Sequence, residues 1–289
     1  MKPPSADWHP ATAVRGMLVR KVREIFHDTT SGEGPVARSP EALFPPDSVI
    51  WRVHGDVTTM TVGGVSALLL QMLHPAALTG VWEHSRFRDD MQGRLRRTAR
   101  FIAVTTYAGR TEAEAAIARV RDIHERVRGT LADGSSYAAS DPRLLAWIHV
   151  CEATSFLDAW IAFAEPTMTI ADQDRYFAQI GTVARRLGAE PVPQTRTEAK
   201  QLLASFRPEL RADARTREVA RLIMSQPAPS LAMAPAQSVV MRAAVTLLPR
   251  WARRMHGYRN GLLPDIAARS GAYALAETLR WAFRAPVAS

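Results

Sequence analysis

Apolar residues along this 289-residue chain recur at three- and four-residue intervals and almost never alternate with polar ones over the length of a strand. That period predicts helices and an all-α fold, supported by the abundance of Ala, Leu, Arg and Glu. The most apolar run, VGGVSALLLQMLHPAALTGVW from Val62 to Trp82, approaches membrane-span length. Gln71, His74 and Pro75 near its centre instead predict a buried helix pair broken at the proline. Downstream, Arg94, Arg97, Thr98, Phe101 and Thr105 fall on one helix face. After a short turn at Gly109 comes a second helix, EAEAAIARVRDIHERVRG, opened by a Thr111/Glu114 capping box and ended by Gly129.

Further signals mark the remaining elements. Ser39, Pro40 and Glu41 read as a helix start, and Asp141 with Pro142 as the N-cap and first turn of LLAWIHVCEATSFLDAWIAF. Tyr176 and Phe177 belong to an amphipathic helix that stops at Gly188, and Thr195 with Glu198 gives another capping box. Thr12 to Phe26 is a short amphipathic segment, TTSGEGPVARSP a mobile loop, and SVIWRVHGDVTTM either extended or a helix approach. The expected organisation is an N-terminal segment, 1–40, and one helical domain, 41–289. The Pro-rich connector SQPAPSLAMAPAQ leaves too little chain beyond it for a second core.

Composition narrows the function classes. Hydrophobic residues make up 47% of the chain, enough to fill a sizeable core, and the formal charge is +9. The excess is mostly Arg, spread over every predicted helix among acids, with no zinc-finger spacing and no RNA-reading aromatic motif; general anion attraction follows, and specific nucleic-acid binding does not. The lone Cys151 forms no intrachain disulfide, and the opening MKPPSADWHP has no apolar signal core, so a cytoplasmic location is expected. A Gly-x-Ser-x-Gly elbow and a phosphate loop are both missing, which argues against acyl transfer and nucleotide chemistry.

The most informative constellation is Arg121, His124 and Arg128 at i, i+3 and i+7, within about 60° of one another on an ideal helix. An imidazole between two guanidiniums fits a haem pocket, in which a neutral nitrogen binds iron and cations meet the propionates. A solvated basic helix face carries the same spacing.

Several segments together resemble the catalytic-domain family that latex clearing proteins (rubber oxygenases) share with the oxygenase of mycophenolic acid biosynthesis. They are LLLQMLHPAALTGVWEHSRF, GRLRRT at Gly93 to Thr98, RDIHERVRG at Arg121 to Gly129, YAASDPRLLAWIHV, RLGAEPVPQT and TLLPRWARRMHG, in consistent order from Val49 to Gly257. The resemblance implies a globin-like helical core and haem b held by His124, the histidine of the family's Arg-x-x-His-x-x-x-Arg pattern, with Arg121 and Arg128 beside it. The family's Arg-x-x-Lys-Thr pattern is matched by Arg94, Arg97 and Thr98, so its Lys is replaced by Arg, which stays protonated and does not serve as an ordinary iron ligand.

Other polar residues have two readings each. His74, just before Pro75, either faces the haem or bonds carbonyls freed by the helix break. Glu83 and His84 stand between a base near the iron and a local cap, and His149 between a pocket residue and a satisfied core histidine. His74, His84, His124 and His149 together also suggest a non-haem metal site, ranked second because the di-iron Glu-x-x-His pair is absent. The basic segment Leu247 to Arg254 reads as a packed solvated face or a weak membrane-surface contact. The expected function is a haem b-dependent oxygenase-like reaction, using dioxygen or a peroxide, on an apolar or aromatic small molecule, with His74, Glu83, Arg97 and Thr98 as catalytic candidates and His124, Arg121, Arg128 and Arg94 around the cofactor. The alternatives are a non-catalytic haem-binding or sensing protein and a non-haem metal oxidoreductase.

Overall fold

The centre of the molecule is a pair of helices that are apolar on every side and therefore buried. They are α2, Val57–Gln71, and α6, Pro142–Phe163, within a computed structural model that describes residues 34–228, 230–258 and 262–283 and the isolated Gly16. Gly63 lets the two approach closely, because a Cβ there would lie 2.9 Å from the Phe156 Cα and from the Ser155 carbonyl oxygen. Helices α10, Ala234–Leu247, and α12, Leu262–Phe283, cover one flank of this pair. The other flank is built from α1, Val49–His54, the hairpin of α4, Met91–Tyr107, with α5, Arg110–Arg126, and from α7, Ile170–Leu187, which packs on α1, α5 and α6. Short helices α3, Pro75–His84, α8, Arg196–Ser205, α9, Ala214–Met224, and α11, Arg250–Met255, complete the described elements with one two-stranded hairpin and two 3-10 turns, Arg207–Glu209 and Leu231–Met233. The fold is all-α, a single domain in which residues from Ala42 to Ala272 share one hydrophobic core.

The break in the apolar run lies where the proline places it. Helix α2 stops at Gln71, His74 caps α3 by accepting from the Ala76 amide at 3.2 Å, and Pro75 occupies the first helical position. The two axes differ by 104°. A buried helix end leaves carbonyls without intrahelical donors, and these must be answered elsewhere. Here three long-range donors do so: His256 Nε2 to the Leu69 oxygen at 2.8 Å, Trp147 Nε1 to the Gln71 oxygen at 3.2 Å, and the Arg211 amide to the Leu73 oxygen at 2.8 Å.

The far end of α2 is held as firmly. Asp56 caps it, accepting from the Thr59 amide, and its second oxygen pairs with Arg280 Nε at 2.7 Å. Arg280 also donates to the Phe163 oxygen at the end of α6, so one guanidinium from α12 closes both central helices. Asp141 and Pro142 open α6 as expected, and Gly188 ends α7 in the left-handed region. The Pro-rich connector precedes α10, which packs on α2 and α12 and so belongs to the same body.

Three local expectations are corrected. Ser39 starts no helix: Pro45 and Pro46 follow too soon, and the segment instead docks on the α4–α5 turn through the Ser39 amide to the Tyr107 oxygen and an Ala42–Gly109 bridge. The Thr111/Glu114 box is not made; Gly109 is the N-cap and Glu114 pairs with Arg186 of α7 at 2.6 Å. At α8, Thr195 caps as expected, but Glu198 accepts from the Gln194 amide rather than from Thr195. The segment from Thr12 to Phe26 lies outside the described residues, Gly16 excepted.

Two substitutions test this framework by urea unfolding. Gly63→Ala should destabilise by about 1–3 kcal/mol, because backbone, not a flexible side chain, blocks the added methyl. His256→Leu should cost about 1–3 kcal/mol by leaving the Leu69 carbonyl unanswered. Wild-type stability in either variant would remove the close approach, or the long-range donor, as a determinant of the fold.

Candidate functional site

The inward stripe of α5 is Ala113, Ile117, Val120 and His124, spaced four, three and four apart, while Arg119, Arg121 and Arg126 face solvent. His124 therefore continues an apolar seam. Its ring is half-buried, and Nδ1 is buried with no hydrogen-bond partner among the described residues. Burial holds its pKa below the ordinary histidine value, against a smaller opposing pull from Glu125, which keeps the imidazole neutral at neutral pH.

Arg128 does not share this helix, which corrects the expected i+7 relation. Helix α5 ends at Arg126, Val127 is extended, and Arg128 begins strand β1, Arg128–Thr130, antiparallel to β2, Ser136–Ala138. The β-branched Val127 and the close seat of the Tyr137 ring on Gly129, where a Cβ would lie 2.9 Å from that ring, favour the strand. The Arg128 guanidinium turns back to the Glu125 carbonyl. Arg121 and Arg128 are both exposed, so they stand at the solvent rim and His124 stands inside it.

Helix α4 divides its expected polar face in the same way. Arg94 is half-buried and donates to Ser85 Oγ at 3.3 Å; burial, then the nearby Arg97 charge, lower its pKa, with Glu152 pulling the other way. Arg97 and Thr98 are exposed, Arg97 pairing with Asp90 at 3.2 Å and Thr98 Oγ1 donating to the Arg94 carbonyl.

The group that faces Arg94 electrostatically is one the motifs do not contain. Glu152 lies mid-way along α6 with its carboxyl buried, and Oε1 accepts from Gln71 Nε2 at 3.2 Å. Burial pushes its pKa up to about 7, outweighing the Gln71 hydrogen bond and the Arg94 charge. An acid at the centre of the apolar run LLAWIHVCEATSFLDAWIAF, which also holds Asp158, is the sequence signal for it. Gln71 joins this carboxyl to the broken end of α2.

The remaining candidates are dispersed. His74 has both nitrogens engaged, Nδ1 by the α3 cap and Nε2 by Glu209 at 3.5 Å. Glu83 is exposed and accepts from the Tyr137 hydroxyl at 2.9 Å, and His84 packs on the Tyr137 ring. Burial and then Glu83 push the Tyr137 hydroxyl up to about 12. His149 is buried with Nε2 unpartnered among the described residues, its pKa pushed down to about 4 chiefly by burial. His54, unremarked by any motif, is a core histidine between Thr106 Oγ1 at 2.9 Å and the Tyr176 hydroxyl at 3.0 Å, and burial lowers it to about 3. Among the described residues, no three His, Cys, Asp or Glu side chains converge on a point where they would share a metal ion. In the basic segment, Arg253 is buried against Asp265 at 2.8 Å, while Arg250 and Arg254 are exposed.

The Glu152 carboxyl makes stability pH-dependent in a defined sense. Its folded pKa lies above the ordinary 4.5, so the native state keeps a proton that the unfolded chain releases, and stability falls as pH rises from about 4.5 to about 7. Wild-type protein should lose roughly 3 kcal/mol relative to Glu152→Gln across that window. Buried His54 and His149, neutral when folded, act in the opposite sense below the ordinary 6.5, but they are common to both proteins and cancel in the difference. Parallel urea-unfolding profiles from pH 4.5 to 8 would contradict the assignment.

Residues 51–283 match the family described as ER-bound oxygenase mpaB/B'/Rubber oxygenase, catalytic domain. No curated protein and no solved structure gave a significant match. The matched stretch runs from α1 to the end of α12 and so takes in the α4–α5 hairpin, the broken α2–α3 pair and α6 with its buried Glu152. The chain belongs to the mpaB/rubber oxygenase catalytic-domain family.

Proposed function

We propose that this protein is a haem b-dependent oxygenase-like enzyme acting on an apolar or aromatic small molecule, with His124 as the protein ligand to iron. The observation that carries the reading is the state of His124: a neutral imidazole on the inward side of α5, with a buried nitrogen that no group among the described residues satisfies. A neutral imidazole is the donor that haem iron takes from a protein. A macrocycle supplies four donors of its own, so one histidine is enough, whereas a non-haem site needs a cluster that the described residues do not form.

The chain's charges suit the two edges of such a cofactor. Arg121 and Arg128, at the solvent rim, would hold propionate carboxylates, and Arg94 supplies a cation in the half-buried layer. Arg97, at the position of the family's Lys, is taken up by Asp90 and brings no nitrogen that could ligate iron. Haem, when bound, would supply the activation of dioxygen or a peroxide. Glu152, ionising near neutrality in a buried site, is suited to hold or release a proton there at little cost. Glu83 is bound by the Tyr137 hydroxyl and is better placed to fix α3 on the β-hairpin than to take up a proton.

His124→Ala should abolish stoichiometric haem uptake in a titration followed by visible absorption, with far-ultraviolet circular dichroism unchanged. Uptake equal to wild type would remove His124 from the site. Substrate-dependent oxygen consumption by the haem-loaded protein supports the enzyme; a six-coordinate haem inert to oxygen and peroxide supports a binding or sensing protein instead.

A further inference from the structure

A concavity lies between α6, α8 and α11, built from none of the residues discussed for His124. Its volume is about 260 Å³. The floor is apolar, with Leu157 and Leu203 buried beneath and the Trp251 indole at the side. Three cations and one carboxylate line it. The carboxylate, Asp158, is answered by Arg196 at 2.7 Å. Lys200, whose charge also acts on Asp158 from beyond ion-pair distance, and Arg207 are both exposed at the mouth, and neither forms an ion pair among the described residues. Arg207 lies over the Trp251 ring at 4.4 Å, which fixes the guanidinium against the mouth. Thr154 Oγ1, another lining group, is buried without a hydrogen-bond partner among the described residues.

We propose that this concavity binds a small carboxylate carrying an apolar body. The two features of the site exclude simpler ligands. A neutral apolar molecule would leave Lys200 and Arg207 unused, and a bare inorganic anion would leave the apolar floor wet. An amphipathic anion meets both, its chain on Leu157, Leu203 and Trp251 and its carboxylate between the two cations. Arg207 offers the planar fork that matches a carboxylate, and Lys200 a mobile point charge. The volume falls just below the ~300–1,000 Å³ of pockets for drug-sized molecules, which limits the body to a medium-length chain or a single ring.

Octanoate is the probe, titrated by calorimetry at pH 7.5 into the full-length protein, with 1-octanol and inorganic phosphate as controls. Saturable octanoate binding is expected, at least tenfold tighter than either control. Lys200→Gln should weaken it at least fivefold, as should Arg207→Gln. His124→Ala should bind octanoate as wild type does, which separates this site from the haem reading. The proposal is overturned by absence of saturable octanoate binding, by octanol binding equally well, by both charge variants binding as wild type, or by loss of binding in folded His124→Ala.

Discussion

The structure depends on how the C-terminal end of α2 is satisfied. An apolar helix buried on all sides that stops inside the core exposes carbonyls where water does not reach, and each unanswered one costs free energy comparable to a lost hydrogen bond. The donors come from Trp147 on α6, from the Arg211 amide just before α9 and from His256 just past α11. These elements lie far apart in sequence, so one local requirement draws the second half of the chain onto the first. It also directs α3 away at 104°, toward the β-hairpin that receives Glu83 and His84 on Tyr137.

The candidate site is an extension of the same constraint. Gln71, the last residue of α2, accepts from Trp147 through its backbone and donates to Glu152 through its side chain. Glu152 in turn is felt by Arg94 of α4, whose hairpin partner α5 carries His124. Burial separates these groups: it lowers the pKa of His124, pushes that of Glu152 up to about 7, and leaves Arg121 and Arg128 outside at the exposed rim. One seam of α5 and an interior acid of α6 thus carry the groups proposed for the chemistry, while the basic excess of the chain mostly faces solvent.

Much of this is legible in the sequence, and the exceptions have physical causes. The helix break is readable because Pro75 denies an amide in the middle of an apolar run, and the α6 start because Asp141 and Pro142 supply a cap and a preset φ. The His124 helix is readable from its period, but its end is not. Val127 leaves the helix because β1 pairs with β2 and Tyr137 seats on Gly129, contacts that form only in the folded chain. Spacing alone therefore put Arg128 on the wrong element. Of the two expected capping boxes, one is lost because the long-range partner Arg186 takes Glu114, the other because the neighbouring Gln194 amide takes Glu198. Glu152 has no motif, yet an acid inside an apolar helix signals by its cost that something nearby answers it.

The proposed role of His124, whose Nδ1 has no partner among the described residues, is to ligate the iron of a haem. The direct measurement is the haem content, by pyridine haemochrome, of protein produced in cells well supplied with haem. The account predicts a b-type spectrum at close to one haem per chain. Protein that emerges folded and haem-free, and takes up none when haem is added, would contradict it.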